Sequence, residues 1–407
     1  MADHNPFRAY EKALAEGNVN SSDLLSGINT PSFVYDETIL HSLLNQVDSI
    51  RSKQDCRVLF SVKAFSHADV LGTMARRLDG FSVSSLYEAK LAKTISPSSS
   101  IHFTSPGIRD DQIKDIARYC EFIAFNSLNQ WDRFKIDIED RIDCGIRINP
   151  QLSFVGDKRY DPCRPDSKLG VPLKQLIYEF DANPGRFSGL RGILFHSNCD
   201  SDNIAQLLET VQHISQNAPT IMNSIAWLNL GGGYLLDHPG NLGEVANVIK
   251  YVKSRYNVHV ILEPGAALIR TAGFIVSTVL DIFLSESSKV AVLDTSINHM
   301  PEVFEYDFEP DVLGHDDKAP NEYLLAGCSC LAGDIFGLYR FNQELRVGDK
   351  IVFNNAGAYT LTKANMFNGI SLPSIYQLTS QGKVILKNHC TFEQFATRWG
   401  LGIDVPT

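Results

Sequence analysis

The chain has 407 residues, 44% of them hydrophobic and 21% charged, with a formal net charge of −10. That acidic balance, with no basic stripe, excludes a nucleic-acid binder or a reader of anionic membranes, and no apolar run approaches the ~18 residues a membrane span needs. The length admits a barrel plus a second domain, because single cores stop growing near ~250–300 residues.

Residues 1–30 read as a polar helical lead-in, broken at Ser21-Ser22-Asp23 and at Gly27. The opening Met-Ala-Asp-His-Asn-Pro lacks the basic-then-apolar layout of a secretory signal. Eight scattered cysteines include a C-x-C at Cys328 and Cys330 but no C-x-x-C, and no histidine pair stands near them. Reduced thiols in a cytoplasmic protein, with no metal site, are expected. Thr30–Tyr35 predicts a short strand closed by Asp36.

From residue 58 the chain alternates apolar strands with amphipathic helices. The predicted strands are Val58–Val62, Gly80–Val83, Ile101–Thr104, Phe122–Phe125, Cys144–Ile148, Gly192–Phe195, Trp227–Leu230 and Val258–Leu262. Helical spacing of apolar residues fills stretches such as Leu86–Thr94 and Ile204–Asn217. Eight such units predict a (β/α)8 TIM-type barrel, whose chemistry belongs at the C-terminal strand ends. Those ends carry Lys63, Ser84-Ser85, Ser105, Asn126-Ser127, Asn149, His196-Ser197-Asn198, Gly231-Gly232-Gly233 and Glu263-Pro264-Gly265. All eight tips are expected to converge on one site.

After residue 275 the pattern changes to separate strands over Phe274–Phe283, Val290–Asp294, Glu322–Cys328, Lys350–Phe353 and Ile375–Leu378. The expected organisation is an N-terminal segment, 1–35, contributing to an all-β domain, then a barrel over 36–275 and the C-terminal β-domain over 276–407.

Several residues could do chemistry. Lys63, closing an apolar strand, is either a partly desolvated amine able to condense with a carbonyl or a lysine that snorkels to water. The triple glycine at 231–233 can offer backbone N–H groups to a phosphate, though a Gly-x-Gly-x-x-Gly fingerprint is absent. Glu263, set by Pro264-Gly265, either faces a protonated ring nitrogen or caps a loop. His196 is either a satisfied core histidine or a plate against a planar cofactor. Arg147, inside a strand, needs an anionic or hydrogen-bonding partner within the barrel. Lysine, glycine cradle, rim glutamate and stacking histidine together describe a pyridoxal 5'-phosphate site.

A longer ordered set of motifs follows the same line. It comprises Ser61-Val-Lys63-Ala, Asp79 through Glu88, Arg147-Ile-Asn-Pro150, Tyr160-Asp-Pro-Cys163, Ser167-Lys-Leu-Gly170 and His196-Ser-Asn-Cys-Asp200, then Leu230-Gly-Gly-Gly233, Leu262-Glu-Pro-Gly265, His299-Met-Pro301, Cys328-Ser-Cys-Leu-Ala-Gly-Asp334 and Asn355-Ala-Gly-Ala-Tyr359. Over about residues 30 to 370 the chain resembles the fold-type III pyridoxal phosphate enzymes, the alanine racemase and ornithine decarboxylase superfamily. Within it the chain is most similar to the carboxynorspermidine/carboxyspermidine decarboxylases of polyamine biosynthesis.

The resemblance implies a lyase with a TIM barrel and a C-terminal β-domain. Lys63 would bond the cofactor aldehyde, His196 stack on its ring, and Glu263 hold the ring nitrogen protonated. Gly231, Gly232, Gly233, Ser197 and Tyr359 would bind the phosphate end, with Arg147 beside Glu263 and the ring, and Gly265 is a further cofactor-binding residue. Cys330 would donate a proton and Asp334 meet substrate, both entering from the second subunit of a homodimer; Asp294 is assigned to the substrate's surroundings as well. Each keeps a plainer alternative: Cys330 as an inert thiol, Tyr359 as a packing aromatic. A glutamate rather than an arginine at the ring nitrogen favours decarboxylation over racemisation.

The chain departs from the family pattern at two acids. Glu-Pro-Gly-Glu-Ala is here Glu263-Pro-Gly-Ala266-Ala267, and Gly-Glu-Tyr is Gly337-Leu338-Tyr339. Loss of one buried ionic partner costs ~2–5 kcal/mol of binding. One alternative substrate is therefore a 3-amino-3-carboxypropyl group on a peptide–nucleotide antibiotic, as in microcin C-type maturation. A non-catalytic, cofactor-binding homologue is the alternative of another class, against which the presence of Lys63 and Cys330 speaks.

Overall fold

The structure, a computed structural model, describes Leu25 and residues 27–402 except 237 and 239. The helical lead-in expected over 1–30 lies outside these residues for nearly all its length. The described residues form two compact units, one of residues 42–268 and one joining the residues up to 41 with those from 269 onward.

After β1 (Ser32–Asp36) the chain enters the first unit through β2 (Arg57–Ser61), β3 (Gly80–Val83), β4 (Ser100–Phe103), β5 (Phe122–Phe125), β6 (Asp143–Asn149), a two-residue β7 (Val171–Pro172), β8 (Gly192–Phe195), β9 (Trp227–Asn229) and β10 (His259–Leu262). They pair in parallel in the order β5-β4-β3-β2-β10-β9-β8-β6, and β5 pairs back with β6. Eight strands thus close a barrel, with β7 attached to β6. Each predicted barrel strand is present with its ends within one residue of expectation. Near-continuous apolar runs mark strands buried on both faces, and Phe122–Phe125 is buried at every position. Helix Leu128–Ile138 shows how the outer layer forms: Ser127 Oγ caps it by accepting from Gln130 N–H, and Leu128, Trp131, Phe134 and Ile138 make its buried stripe.

Inside the barrel, Leu59, Phe122, Ala124, Leu194, Trp227 and Ile261 pack together. The indole of Trp227 fits because its neighbours across β8 and β6 are glycines, with Gly192 in register with Trp227 and Gly145 in register with Gly192. A Cβ on Gly192 would stand 1.9 Å from Trp227 Cδ2, and one on Gly145 2.4 Å from its Cη2.

The second unit is a mostly antiparallel sheet built from β1 and from β11 (Gly273–Ser285), β12 (Ser288–Leu293), β13 (Asn321–Ala326), β14 (Ile335–Phe341), β15 (Lys350–Phe353), β16 (Ser374–Leu378) and β17 (Val384–Asn388). Its order is β14-β13-β12-β11-β1-β16-β17, with β15 on β11; the pairs β12–β13 and β1–β16 are parallel. Val34, Phe274, Val276, Val352, Tyr376 and Leu378 form its core. The units part at residues 268 and 269, earlier than 275, because β11 is one continuous strand from Gly273 that belongs to this sheet. Two strands, β14 and β17, go beyond those expected. Among the described residues no helix is long and apolar enough to cross a membrane.

Candidate active site

The C-terminal rim of the barrel divides into two halves. On β3 to β6 the polar tips serve architecture: Ser85 and Ser127 cap helices, Asn126 Nδ2 donates to Lys168 O at 2.8 Å, and Asn149 Oδ1 accepts from Gln151 N–H at 2.8 Å. The expectation of one site drawn from all eight tips is corrected accordingly, since these side chains are engaged in turning the chain. The chemically suggestive tips follow β2, β10, β9 and β8, which are consecutive neighbours in the barrel. Backbone bonds lace them together: Ser61 N–H donates to Pro264 O at 3.0 Å, and Glu263 N–H to Gly231 O at 2.7 Å.

Lys63 lies in the single turn Val62–Ala64 directly after β2. Its side chain keeps solvent-accessible surface at the mouth of the barrel, yet protein closely surrounds the amine. The surroundings decide the proton affinity, because the energy of a charge depends on everything within several ångströms and not on touchable area alone. Burial lowers the Lys63 pKa, the Arg147 charge adds to that, and Glu263 opposes it. A neutral amine is the nucleophilic form.

Glu263 is buried, and its Oε1 accepts from Asn229 Nδ2 at 2.7 Å. His102 Nδ1 lies 2.9 Å from the same oxygen. Burial raises the carboxyl's pKa, but the His102 and Asn229 contacts, with Ser82 nearby, outweigh it and leave the pKa lowered. Arg147 is also buried on β6, where burial works against its charge and Glu263 supports it. Its Nε has no hydrogen-bond partner among the described residues. A buried guanidinium with an open donor suits an anionic or acceptor group.

His196, directly after β8, accepts the Gly232 N–H through Nδ1 at 3.2 Å, which assigns its proton to Nε2. Its pKa is pushed down to about 3, first by burial, then by the charges of Lys63 and Arg147, against Glu263. A neutral, fixed imidazole is a plate rather than an acid. The sign of the pH effect follows. As pH falls from 6.5 towards 3 the unfolded chain takes up a proton that the folded His196 refuses. Stability is undiminished above that window and declines within it by up to about 1.4 kcal/mol per pH unit. His196→Phe is expected to remove this slope from urea unfolding followed between about pH 6.5 and 5; an unchanged slope would mean that the ring titrates normally in the fold.

Gly231 and Gly233 have φ of +67° and +88°, a region that penalises side chains. Cβ atoms on Gly231, Gly232 and Gly233 would meet backbone oxygens of Phe195, Glu263 and Asn198 at 2.3, 2.3 and 2.1 Å. Two of the three N–H groups are already engaged: Gly231 donates to Asn229 Oδ1 at 2.8 Å and Gly232 to His196. Ser197 is fully buried and its hydroxyl meets Tyr234 Oη at 3.1 Å and Thr210 Oγ1 at 3.2 Å, so it is held within the barrel wall. Gly265 and Ala266 follow Glu263 into a tight turn, where Leu268 N–H donates to Gly265 O at 3.0 Å.

The remaining candidates belong to the β unit. Tyr359 has φ +65° and opens the short helix Thr360–Lys363. Cys330 is exposed, its backbone N–H donating to Asn368 Oδ1 at 2.9 Å. Asp334 is buried and fastens its own loop: it accepts from Ser296 Oγ at 2.8 Å, Ile297 N–H at 2.8 Å, Ser329 N–H at 3.0 Å and the Ser329 hydroxyl. Asp294 accepts from Ser277 Oγ at 2.6 Å, Thr278 N–H at 2.9 Å and Thr30 Oγ1 at 2.5 Å, which ties strands together. Leu338 lies half-exposed on β14. Sequence reasoning missed His102 and Asn229, although each is a polar residue inside an apolar strand, the signal that singled out Arg147.

The family model for the pyridoxal binding domain of pyridoxal-dependent decarboxylases matches residues 40–270. A carboxyaminopropylagmatine decarboxylase of Synechocystis is 33% identical, covering 94% of this chain and 98% of the relative. A carboxynorspermidine/carboxyspermidine decarboxylase of Herminiimonas arsenicoxydans is 31% identical over 91% of this chain and 99% of its own. The crystal structure of carboxynorspermidine decarboxylase from Campylobacter jejuni, complexed with norspermidine, superposes with a TM-score of 0.83 at 29% identity, covering 91% of this chain and all of that one.

Proposed function

The chain belongs to the pyridoxal-dependent decarboxylases, and on that premise we propose that it removes the α-carboxylate from the aminocarboxypropyl head of a basic, polyamine-type substrate, working as a cytoplasmic homodimer. Pyridoxal 5'-phosphate is its cofactor. The observation that carries the reading is the placing of a lowered-pKa lysine and an anchored, ionised glutamate after adjacent strands β2 and β10.

The residues present fit that cofactor. The glycine loop has no room for Cβ atoms, and the buried Arg147 Nε lacks a partner among the described residues. When bound, the cofactor supplies an electron sink for the pair left behind as carbon dioxide departs. Lys63, whose pKa burial lowers, would offer its amine to the cofactor's aldehyde. Glu263 would hold a proton at the ring nitrogen, and the neutral His196 would lie against the ring without competing for that proton. Gly233 N–H and Tyr359 would secure the phosphate end. Cys330, standing exposed on its loop, delivers a proton to the carbon that lost its carboxylate, from the second subunit.

Exposed Phe304, Leu331, Ile335 and Leu338 accompany Cys330 in the β unit and support its burial by a second copy. Eight free thiols support a reducing compartment. The relatives named above act on substrates with an aminocarboxypropyl head and a basic tail, which favours the polyamine reading over a nucleotide one. Ala266 and Leu338 supply no charge to such a tail.

Carbon dioxide release tests the substrate class. Carboxyspermidine, carboxynorspermidine and carboxyaminopropylagmatine are expected to exceed ornithine and diaminopimelate in kcat/KM by about tenfold or more. Turnover confined to an aminocarboxypropyl nucleotide would overturn the polyamine assignment and leave the decarboxylase intact.

A further inference from the structure

Behind Glu263 stands a second group that no motif announces. His102, on β4, is completely buried between the rings of Trp227, at 5.2 Å and edge-on, and Phe122 at 6.0 Å. Its Nδ1 is 2.9 Å from Glu263 Oε1 and 2.6 Å from Asn229 Nδ2. The Asn229 amide cannot be turned over, because its Oδ1 accepts the Gly231 N–H at 2.8 Å. Asn229 Nδ2 is therefore a donor, and it already donates to Glu263 Oε1 at 2.7 Å.

The tautomer of His102 is a balance of contacts. With the proton on Nε2, Nδ1 would accept from Asn229 Nδ2 at 2.6 Å, but the same lone pair would face the Glu263 carboxylate at 2.9 Å and the Nε2–H would be stranded, since Nε2 has no partner among the described residues. With the proton on Nδ1 and aimed at Oε1, the imidazole donates to the carboxylate at the cost of one close donor–donor approach to Asn229 Nδ2; the charge-assisted bond outweighs that approach, and Oε1 is the shared acceptor of the triangle.

We propose that His102 is a positioning residue for the cofactor: with Asn229 it saturates Glu263 Oε1 from the barrel interior, fixing the carboxylate's charge and orientation toward the ring nitrogen. The inference rests on the reading of Glu263 given above. The other titratable groups that face Glu263 are Lys63, Arg147 and the neutral His196.

The test is the dissociation constant of pyridoxal phosphate for the full chain, stripped and reloaded, followed by fluorescence quenching. Glu263→Gln alone is expected to weaken binding about tenfold or more. His102→Leu is expected to weaken it roughly tenfold in the otherwise unchanged protein, and not at all in the Glu263→Gln background. His102→Asn, which can keep a donor near the Nδ1 position, is expected to restore most of the affinity. Should His102→Leu fail to fold, His102→Phe fills the same space against Trp227 without a donor and carries the same arm. An unchanged constant in Glu263→Gln would sink the ring-nitrogen reading and this inference with it. A shift there with none in His102→Leu, or an equal loss in both backgrounds, would sink this inference alone.

Discussion

Lys63→Ala is expected to abolish the cofactor's absorption band near the visible edge and to reduce decarboxylation about a thousandfold or more, because the covalent link and the reactive amine vanish together. Persistence of the band would mean that another amine binds the aldehyde. Mixing this variant with Cys330→Ala probes the shared site. Each protein alone is impaired, but random reassociation makes half the population heterodimers, each with one intact site, so roughly a quarter of normal activity returns. No recovery after demonstrated exchange would place both residues of each site in one chain.

Gly192→Ala is expected to damage the barrel severely. Its Cβ would enter the indole of Trp227 at 1.9 Å, and Trp227 has little room to move, for its ring also packs edge-on with His102 at 5.2 Å and Phe122 at 5.8 Å. Overpacking of this kind costs about 3 kcal/mol. Urea unfolding measures it, and Trp227→Phe in the same chain should recover part of the loss because the pair is coupled through one volume. A change within about 0.5 kcal/mol for Gly192→Ala would show that the barrel wall yields more readily than its close packing implies.

The eight barrel strands were legible because parallel strands covered on both faces must be apolar almost throughout, and such runs stand out against amphipathic helices. The β unit was harder. β14 escaped because Gly337 and exposed Ile335 and Leu338 interrupt its alternation, and β17 because only Val384 is even partly covered at the sheet's edge. β7 is two residues long and contains a proline, too little for any pattern.

The site shows the same division. Lys63, His196, Glu263 and the glycines stand where a barrel puts chemistry, so position and residue type agree. The serines and asparagines on β3 to β6 stand there too, but a polar residue that ends a strand also starts a turn, and the sequence carries no mark that separates the two uses. His102 and Asn229 were hidden for the opposite reason. Each interrupts an apolar strand, but only the closed barrel brings residues 102, 229 and 263 to one point.

The position of β1 has a consequence for synthesis on the ribosome. Its five residues are all buried, paired with β11 on one side and β16 on the other. Those partners are encoded roughly 240 and 340 residues later, so at ~5–20 residues per second β1 waits tens of seconds for a neighbour. The intervening barrel is complete within that interval, since its last strand, β10, ends at Leu262. The barrel can therefore assemble while the chain is still growing, whereas the sheet closes around β1 only after β11 and β16 have been made.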